Sequence, residues 1–183
     1  MSVFPHAHLP SPRAVRRLGG AAALSVLALF ATSCSDDEPA PAASADRITM
    51  SDQWIKAADS GMSAAFGNLR NTGDTPVTLI AATSPASDRV EIHEVVPDSS
   101  GAKTMRPKAG GITIPAKGEA VLKPGGEHLM FMDLKQPLRT GAETSLTLTF
   151  ADGSSTVVTA QVRDFAGGKE NYAPGTENSS HGG

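Results

Sequence analysis

The chain contains only one cysteine, Cys34, among its 183 residues. This excludes an internal disulfide, a zinc site made of several thiolates and a Cys-x-x-Cys redox site. Basic residues are not in excess, because the formal net charge is −3, and a nucleic-acid partner is therefore disfavoured. Aromatic residues amount to only 4%, whereas there are 18 glycines and 13 prolines. This composition favours short strands and turns over a helical bundle, and the length predicts one domain with tails.

No apolar run is long enough for a transmembrane helix, which needs about 20 residues. The run at 21–32 has 12 residues and follows a basic segment, 13–17, with three arginines. This pattern predicts a signal peptide over residues 1–33. The segment that ends at Cys34 (Ala-Thr-Ser-Cys) resembles the bacterial lipobox, in which the cysteine carries the lipid. An ordinary secretory signal followed by an unmodified cysteine is the alternative.

Lipidation of Cys34 would anchor the mature protein to the outer face of the bacterial cytoplasmic membrane. Cleavage before this residue removes three arginines and no acidic residue, so the net charge changes from −3 to −6. Residues 34–46 are rich in Pro and Ala and predict the lipidated cysteine with a flexible tether. Residues 164–183 predict a flexible polar tail. Between them, residues 47–163 have the size of one small domain.

The domain is predicted to be all-β. Residues 144–150 alternate strictly between apolar residues and threonine, or serine at 145, and residues 155–162 are rich in β-branched side chains. Asp152-Gly153 between them is a hairpin signal. Short strands separated by turn signals, without an amphipathic helix, predict an antiparallel β-sandwich. Further strands are predicted at 77–80, 90–96, 112–114, 120–122 and 129–132.

The stretch His128-Leu129-Met130-Phe131-Met132 carries the clearest functional signal. Alternate side chains of a strand share a face, so His128, Met130 and Met132 are expected to point outward. Leu129 and Phe131 are then expected to point into the core. A histidine with two thioethers is an unusual way to cover an exposed surface.

A second histidine, His93, lies in the predicted strand 90–96 and is expected to face outward. Met105 follows a predicted turn at 97–101 and can fold back towards this histidine. Imidazole and thioether donors together suit Cu(I), whereas zinc prefers Cys, His and carboxylate ligands. The alternative is that these methionines serve packing and that the histidines are ordinary hydrogen-bonded residues.

The order of these residues resembles the periplasmic copper chaperones called PCu(A)C. The family signature is His-Met, ten residues, Met, twenty-one residues, His-x-Met. Here His93-Glu94 is followed by ten residues, Met105, twenty-two residues and then His128-Leu129-Met130. Glu94 replaces the methionine that often follows the first histidine, so no ligand role is transferred to position 94.

The resemblance covers residues 48–162, essentially the whole predicted domain. It includes the early aromatic strand at 52–56, the strand and asparagine turn at 61–71, and the segment at 124–138. These segments occur in the family's order. The resemblance therefore does not depend on the predicted ligands alone.

The resemblance implies a cupredoxin-like β-sandwich that binds one Cu(I) near its surface through His93, Met105, His128 and Met130. It also implies delivery of copper to the copper-bearing subunit of cytochrome c oxidase, alongside a Sco-type copper protein. A thiol-disulfide role is excluded because Cys34 is the predicted lipidation site. His181 in the predicted tail can capture metal only weakly, because its Gly/Ser surroundings do not pre-organise a site.

No residue set resembles a nucleophile–base pair or paired catalytic carboxylates, so we expect a protein that is not an enzyme. Two other functions remain open at the level of sequence. One is copper storage or detoxification at the same site. The other is an immunoglobulin-like interaction module in which the His and Met residues are incidental.

Overall fold

The computed structural model describes residues 42–167 and 171–172. The predicted signal peptide 1–33, Cys34, and most of the predicted tail, including His181, lie outside the described residues. Among the described residues, no helix has the length and apolar character needed to span a bilayer.

The described chain forms one short helix and eleven strands. In chain order they are α1 (Ser44–Arg47), β1 (Ile48–Lys56), β2 (Ser63–Asn71), β3 (Val77–Thr83), β4 (Ser87–Pro97), β5 (Lys103–Pro107), β6 (Ile112–Ile114), β7 (Glu119–Leu122), β8 (His128–Leu134), β9 (Glu143–Phe150), β10 (Ser155–Arg163) and β11 (Asn171–Tyr172). The predicted strands and the absence of an amphipathic helix are confirmed for this part of the chain.

Seven strands close into a barrel in the order β4-β8-β2-β1-β10-β9-β3. The closing pair joins β3 to β4 where Ala82 lies opposite Val90. The remaining strands extend the wall: β5 pairs with β4, β6 with β3 and β7 with β2. Most pairs are antiparallel, as predicted, but β1 and β10 run parallel, with Trp54 opposite Gln161.

The interior of the barrel is filled by aliphatic and aromatic side chains. The alternation predicted for β9 is confirmed, because Leu146, Leu148 and Phe150 are fully buried in this core. The hairpin to β10 also forms, with Thr149 opposite Ser155. On β8, Leu129 belongs to the same core, and this fixes which face of β8 points inward.

Helix α1 was not expected, because it lies where the sequence predicted a flexible tether. The first N–H groups of a helix have no partner within the helix. The β9–β10 turn supplies partners: Ser44 N–H donates to Asp152 Oδ2 at 2.7 Å, and Ala45 N–H donates to Ser154 Oγ at 3.0 Å. Hydrogen bonds donated by Ser154 and Ser44 lower the pKa of Asp152 well below its ordinary value, so its side chain accepts them as a carboxylate.

Strand β11 was also missed, because it lies in the predicted flexible tail. It runs parallel to β5, with Tyr172 opposite Met105. Without it, β5 would present a free row of backbone N–H and C=O groups, and a covering strand satisfies some of them. Two residues of the predicted tail thus form a strand in the structure.

Candidate metal centre

The pairing of β4 with β8 brings together the two histidines of the described part of the chain. His93 and His128 lie directly opposite each other in the antiparallel register. Their ring centroids are 5.6 Å apart, with an angle of 64° between the planes. Metal–nitrogen bonds of about 2 Å would place two imidazoles that share one ion about 5–6 Å apart. The observed separation fits that requirement.

Three methionines lie on the same side of the barrel wall and form the methionine cluster: Met105, Met130 and Met132. Met130 and Met132 follow His128 at alternate positions of β8, and Met105 comes from β5 through its pairing with Val95 of β4. The β4–β5 hairpin therefore folds Met105 back towards the histidines, as predicted. The methionine cluster packs separately from the core of the barrel.

The alternation predicted for β8 is confirmed, but the expected exposure of its outer face is wrong. Leu129 and Phe131 point into the barrel core, whereas Met130 and Met132 belong to the methionine cluster. His128, Met130 and Met132 retain only 4–5% of their exposed area. The outer face of β8 is therefore a second buried layer.

His93 also points away from the barrel core, yet it is fully buried instead of facing solvent. Tyr172 of β11 stacks on its ring, with centroids 5.6 Å apart and planes inclined by 2°. No periodic pattern of residues predicts this stacked tyrosine. The one available clue was that Tyr172, the only tyrosine of the chain, stands in a polar segment.

One nitrogen of His93 is paired and the other is not. Nε2 lies 2.8 Å from Glu91 Oε2, whereas Nδ1 is buried and has no hydrogen-bond partner among the described residues. A carboxylate that accepts the Nε2–H proton leaves the lone pair on Nδ1. Outer carboxylates of this kind orient and strengthen histidine ligands in metal sites.

Glu91 is held in the ionised form that this role requires. Burial raises the pKa of Glu91, but hydrogen bonds from Arg89 and His93 outweigh burial and lower the pKa below its ordinary value. Arg89 Nε donates to Glu91 Oε1 at 2.7 Å. The carboxylate is therefore fixed between a guanidinium and an imidazole.

The ring of His128 is oriented by the backbone. Nδ1 lies 3.0 Å from the carbonyl oxygen of Gly126. A carbonyl oxygen only accepts, so Nδ1 is the donor and the lone pair of the neutral ring is on Nε2. Phe66 of β2 packs beside this ring at 6.1 Å between centroids.

A pocket of about 70 Å³ opens beside the predicted ligands. Met105, His128 and Met130 line it, and the small side chain of Ala64 lies opposite Met130 in the β2–β8 register. His93 is not among the lining residues and lies deeper. A small ion fits such a pocket better than a drug-sized ligand, whose sites are several hundred Å³.

Glu94, at the position where the PCu(A)C signature often has methionine, takes part in ion pairs instead. It contacts Arg106 at 3.0 Å and Lys108 at 3.4 Å. The hydrogen bond from Arg106 is the main cause of a pKa below the ordinary value for Glu94. Position 94 thus belongs to a charged surface, and its carboxylate is engaged by Arg106 and Lys108.

No group of three or more His, Cys, Asp or Glu side chains within 42–167 and 171–172 is arranged to hold a metal ion. The donors that converge here are two imidazoles and the thioethers of the methionine cluster. Thioethers are soft ligands and need not lose a proton before binding. Chemically, the arrangement suits a soft monovalent cation.

Comparison with known proteins agrees with this reading of the fold. A family model described as "LpqE-like: Putative lipoprotein LpqE-like" matches residues 48–162. A relative from Leifsonia xyli subsp. xyli (strain CTCB07), named "Putative lipoprotein Lxx21020", is 42% identical over 160 residues. That match covers 85% of this chain and 96% of the relative.

Two solved structures share the fold. The copper-bound PCuAC domain from PmoF2 has a TM-score of 0.53 at 20% identity, covering 65% of this chain and 94% of that domain. The apo PCuAC domain from PmoF1 has a TM-score of 0.54 at 22% identity, covering 65% and 95%. These matches confirm a cupredoxin-like all-β domain and the predicted resemblance to PCu(A)C proteins.

Proposed function

The chain belongs to the LpqE-like family, and from this premise we propose that it is an extracytoplasmic copper chaperone that binds one Cu(I). The proposed ligands are His93, Met105, His128 and Met130. The protein itself performs no catalytic step in this proposal.

The observation that carries the proposal is the unpaired Nδ1 of His93. A buried polar atom without a hydrogen bond costs roughly 1–3 kcal/mol, so it calls for an explanation. A metal ion shared with His128 would supply the missing partner, and the adjacent methionine cluster would complete the coordination. An immunoglobulin-like interaction module has no need for this arrangement.

The donor types favour Cu(I) over the alternatives. Zinc sites use Cys, His and carboxylates, and iron or manganese sites favour oxygen. Here Glu91, the carboxylate that hydrogen-bonds to His93, is already engaged by Arg89 and His93. The copper-bound state of the PmoF2 domain, which has the same fold, supports copper as the metal.

Copper is the cargo of this site, and delivery follows from ligand exchange. Several weak thioether bonds can be replaced one at a time by those of an acceptor. We propose the copper-bearing subunit of cytochrome c oxidase as acceptor, alongside a Sco-type copper protein. A lipid on Cys34 would confine the chaperone to the membrane surface and raise its effective concentration near a membrane-bound acceptor.

A competition titration tests the metal-binding step. The mature protein is titrated with Cu(I) under reducing conditions against a colorimetric chelator, and Zn(II) retention after desalting is measured in parallel. We expect one Cu(I) per chain and little zinc. Absence of bound Cu(I), or equal retention of both metals, would contradict the proposal.

A deletion strain tests delivery separately from binding. Loss of cytochrome oxidase activity under low copper, restored by added copper, is the expected result. Copper sensitivity with normal oxidase activity would instead indicate storage or detoxification at the same site.

A further inference from the structure

The proposed ligands expose little surface to a copper donor or acceptor. Met105, the least buried of them, retains 8% of its exposed area, and His93 retains none. A donor atom between the buried ligands and solvent would therefore assist exchange of the ion.

Met62 lies between the pocket and solvent. Its side chain lines the same pocket as His128 and Met130, yet it is 43% exposed. The other methionines in the described part of the chain are buried or half-buried. The thioether side chain of Met62 thus contacts both the pocket and solvent.

The β2–β8 register places the residues that follow Met62 beside the buried ligands. Ser63 of β2 lies opposite Phe131 and Ala64 lies opposite Met130. Ala64 packs against the methionine cluster, and Met62 lines the same pocket as Met130.

The backbone around Met62 is held on both sides. Leu134 N–H donates to the carbonyl oxygen of Gly61 at 2.9 Å, and Ser63 Oγ donates to the carbonyl oxygen of Lys56 at 2.6 Å. An unbranched side chain on an anchored backbone can swing between pocket and solvent without moving the strand. The backbone beside Met62 is therefore anchored, while its unbranched side chain can adopt more than one rotamer.

We propose that Met62 is an exchange ligand for Cu(I), and this proposal rests on the proposed function. During release, a bond from copper to the Met62 sulfur forms as a bond to one buried ligand breaks. The ion stays Cu(I), no proton moves, and the acceptor then displaces the Met62 sulfur. Uptake follows the reverse order.

The test compares Cu(I) release rates from the copper-loaded full-length mature protein in detergent. Bathocuproine disulfonate serves as the acceptor, and transfer is followed by stopped-flow absorbance. We expect Met62→Leu to slow transfer by about tenfold, which corresponds to about 1.4 kcal/mol of barrier, and to leave equilibrium Cu(I) affinity unchanged. The chelator is anionic and Lys56 lies at the pocket, but this substitution leaves that charge in place.

Two further variants separate a ligand role from packing. Met50→Leu makes the same chemical change on β1, where the side chain packs against the barrel core, and should transfer copper at the wild-type rate. Met62→His restores a copper-binding donor and should recover most of the lost rate.

Three results would overturn the exchange role: a wild-type transfer rate in Met62→Leu, a loss of equilibrium affinity in that variant, or a Met62→His variant as slow as Met62→Leu. A wild-type protein that binds no Cu(I) would instead refute the proposed function, and the exchange role with it.

Discussion

Neighbouring residues of β8 lie in two different environments. Phe131 is fully buried in the barrel core, and Met130 lies on the other face of the same strand in the methionine cluster. Stability and metal binding should therefore be separable by substitutions at adjacent positions.

Met130→Leu and Phe131→Ala should have opposite effects. Met130→Leu keeps a similar apolar volume, so it should cost less than about 1.5 kcal/mol of unfolding free energy. It removes one soft donor, so Cu(I) affinity should fall clearly. Phe131→Ala should cost about 3–5 kcal/mol through a core cavity and leave the donor atoms in place. Denaturant unfolding and chelator competition measure both quantities for both variants.

Unfolding of the domain by Met130→Leu, with copper affinity intact in the folded fraction, would assign Met130 to packing. The ligand set would then have to be redrawn around Met132, which lies on the same face of β8.

At the scale of elements, local periodicity predicted most strands but not the layers that cover them. The faces of β8 and β9 follow from alternation, since each residue's side is fixed by its position in the strand. The ring that stacks on His93 comes from β11, which is far away in sequence and too short to have a period. The parallel pairing of β1 with β10 likewise depends on contacts that no local pattern encodes.

Substitution of Tyr172 tests whether β11 shields the His93 ring from solvent. Tyr172→Ala removes the ring that stacks on His93, so the His93 imidazole of the metal-free protein should react faster with diethyl pyrocarbonate. Peptide-level mass spectrometry reads the modification at His93 apart from the other histidines. Tyr172→Phe keeps a stacking ring and should retain the wild-type rate.

An unchanged His93 reactivity in Tyr172→Ala would show that the surrounding strands alone bury the ring. Faster modification in both variants would indicate that the phenol hydroxyl, and not the stacked ring, holds the cover in place.

At the scale of the molecule, the proposed delivery of copper would depend on how close the protein lies to the membrane as well as on its metal site. The β-strand domain begins close to Cys34 in sequence, because α1 starts at Ser44 and is tied to the β9–β10 turn by Asp152. Even fully extended, the eight residues 34–41 would span at most about 28 Å. A lipid on Cys34 would therefore hold the domain close to the membrane and limit its search for an acceptor to the membrane surface.

Cys34→Ala tests this arrangement in cells. A cysteine is the residue that receives the lipid, so the variant should leave the membrane fraction or accumulate as an unprocessed precursor. Membrane fractionation and intact-mass analysis measure both outcomes. The purified variant should still bind one Cu(I), because position 34 is remote in sequence from every proposed ligand. Oxidase activity under low copper should fall if anchoring serves delivery.

Unchanged fractionation and mass would refute lipidation at Cys34. Membrane release with full oxidase activity would instead refute the need for an anchor, and it would leave the proposed copper site unaffected.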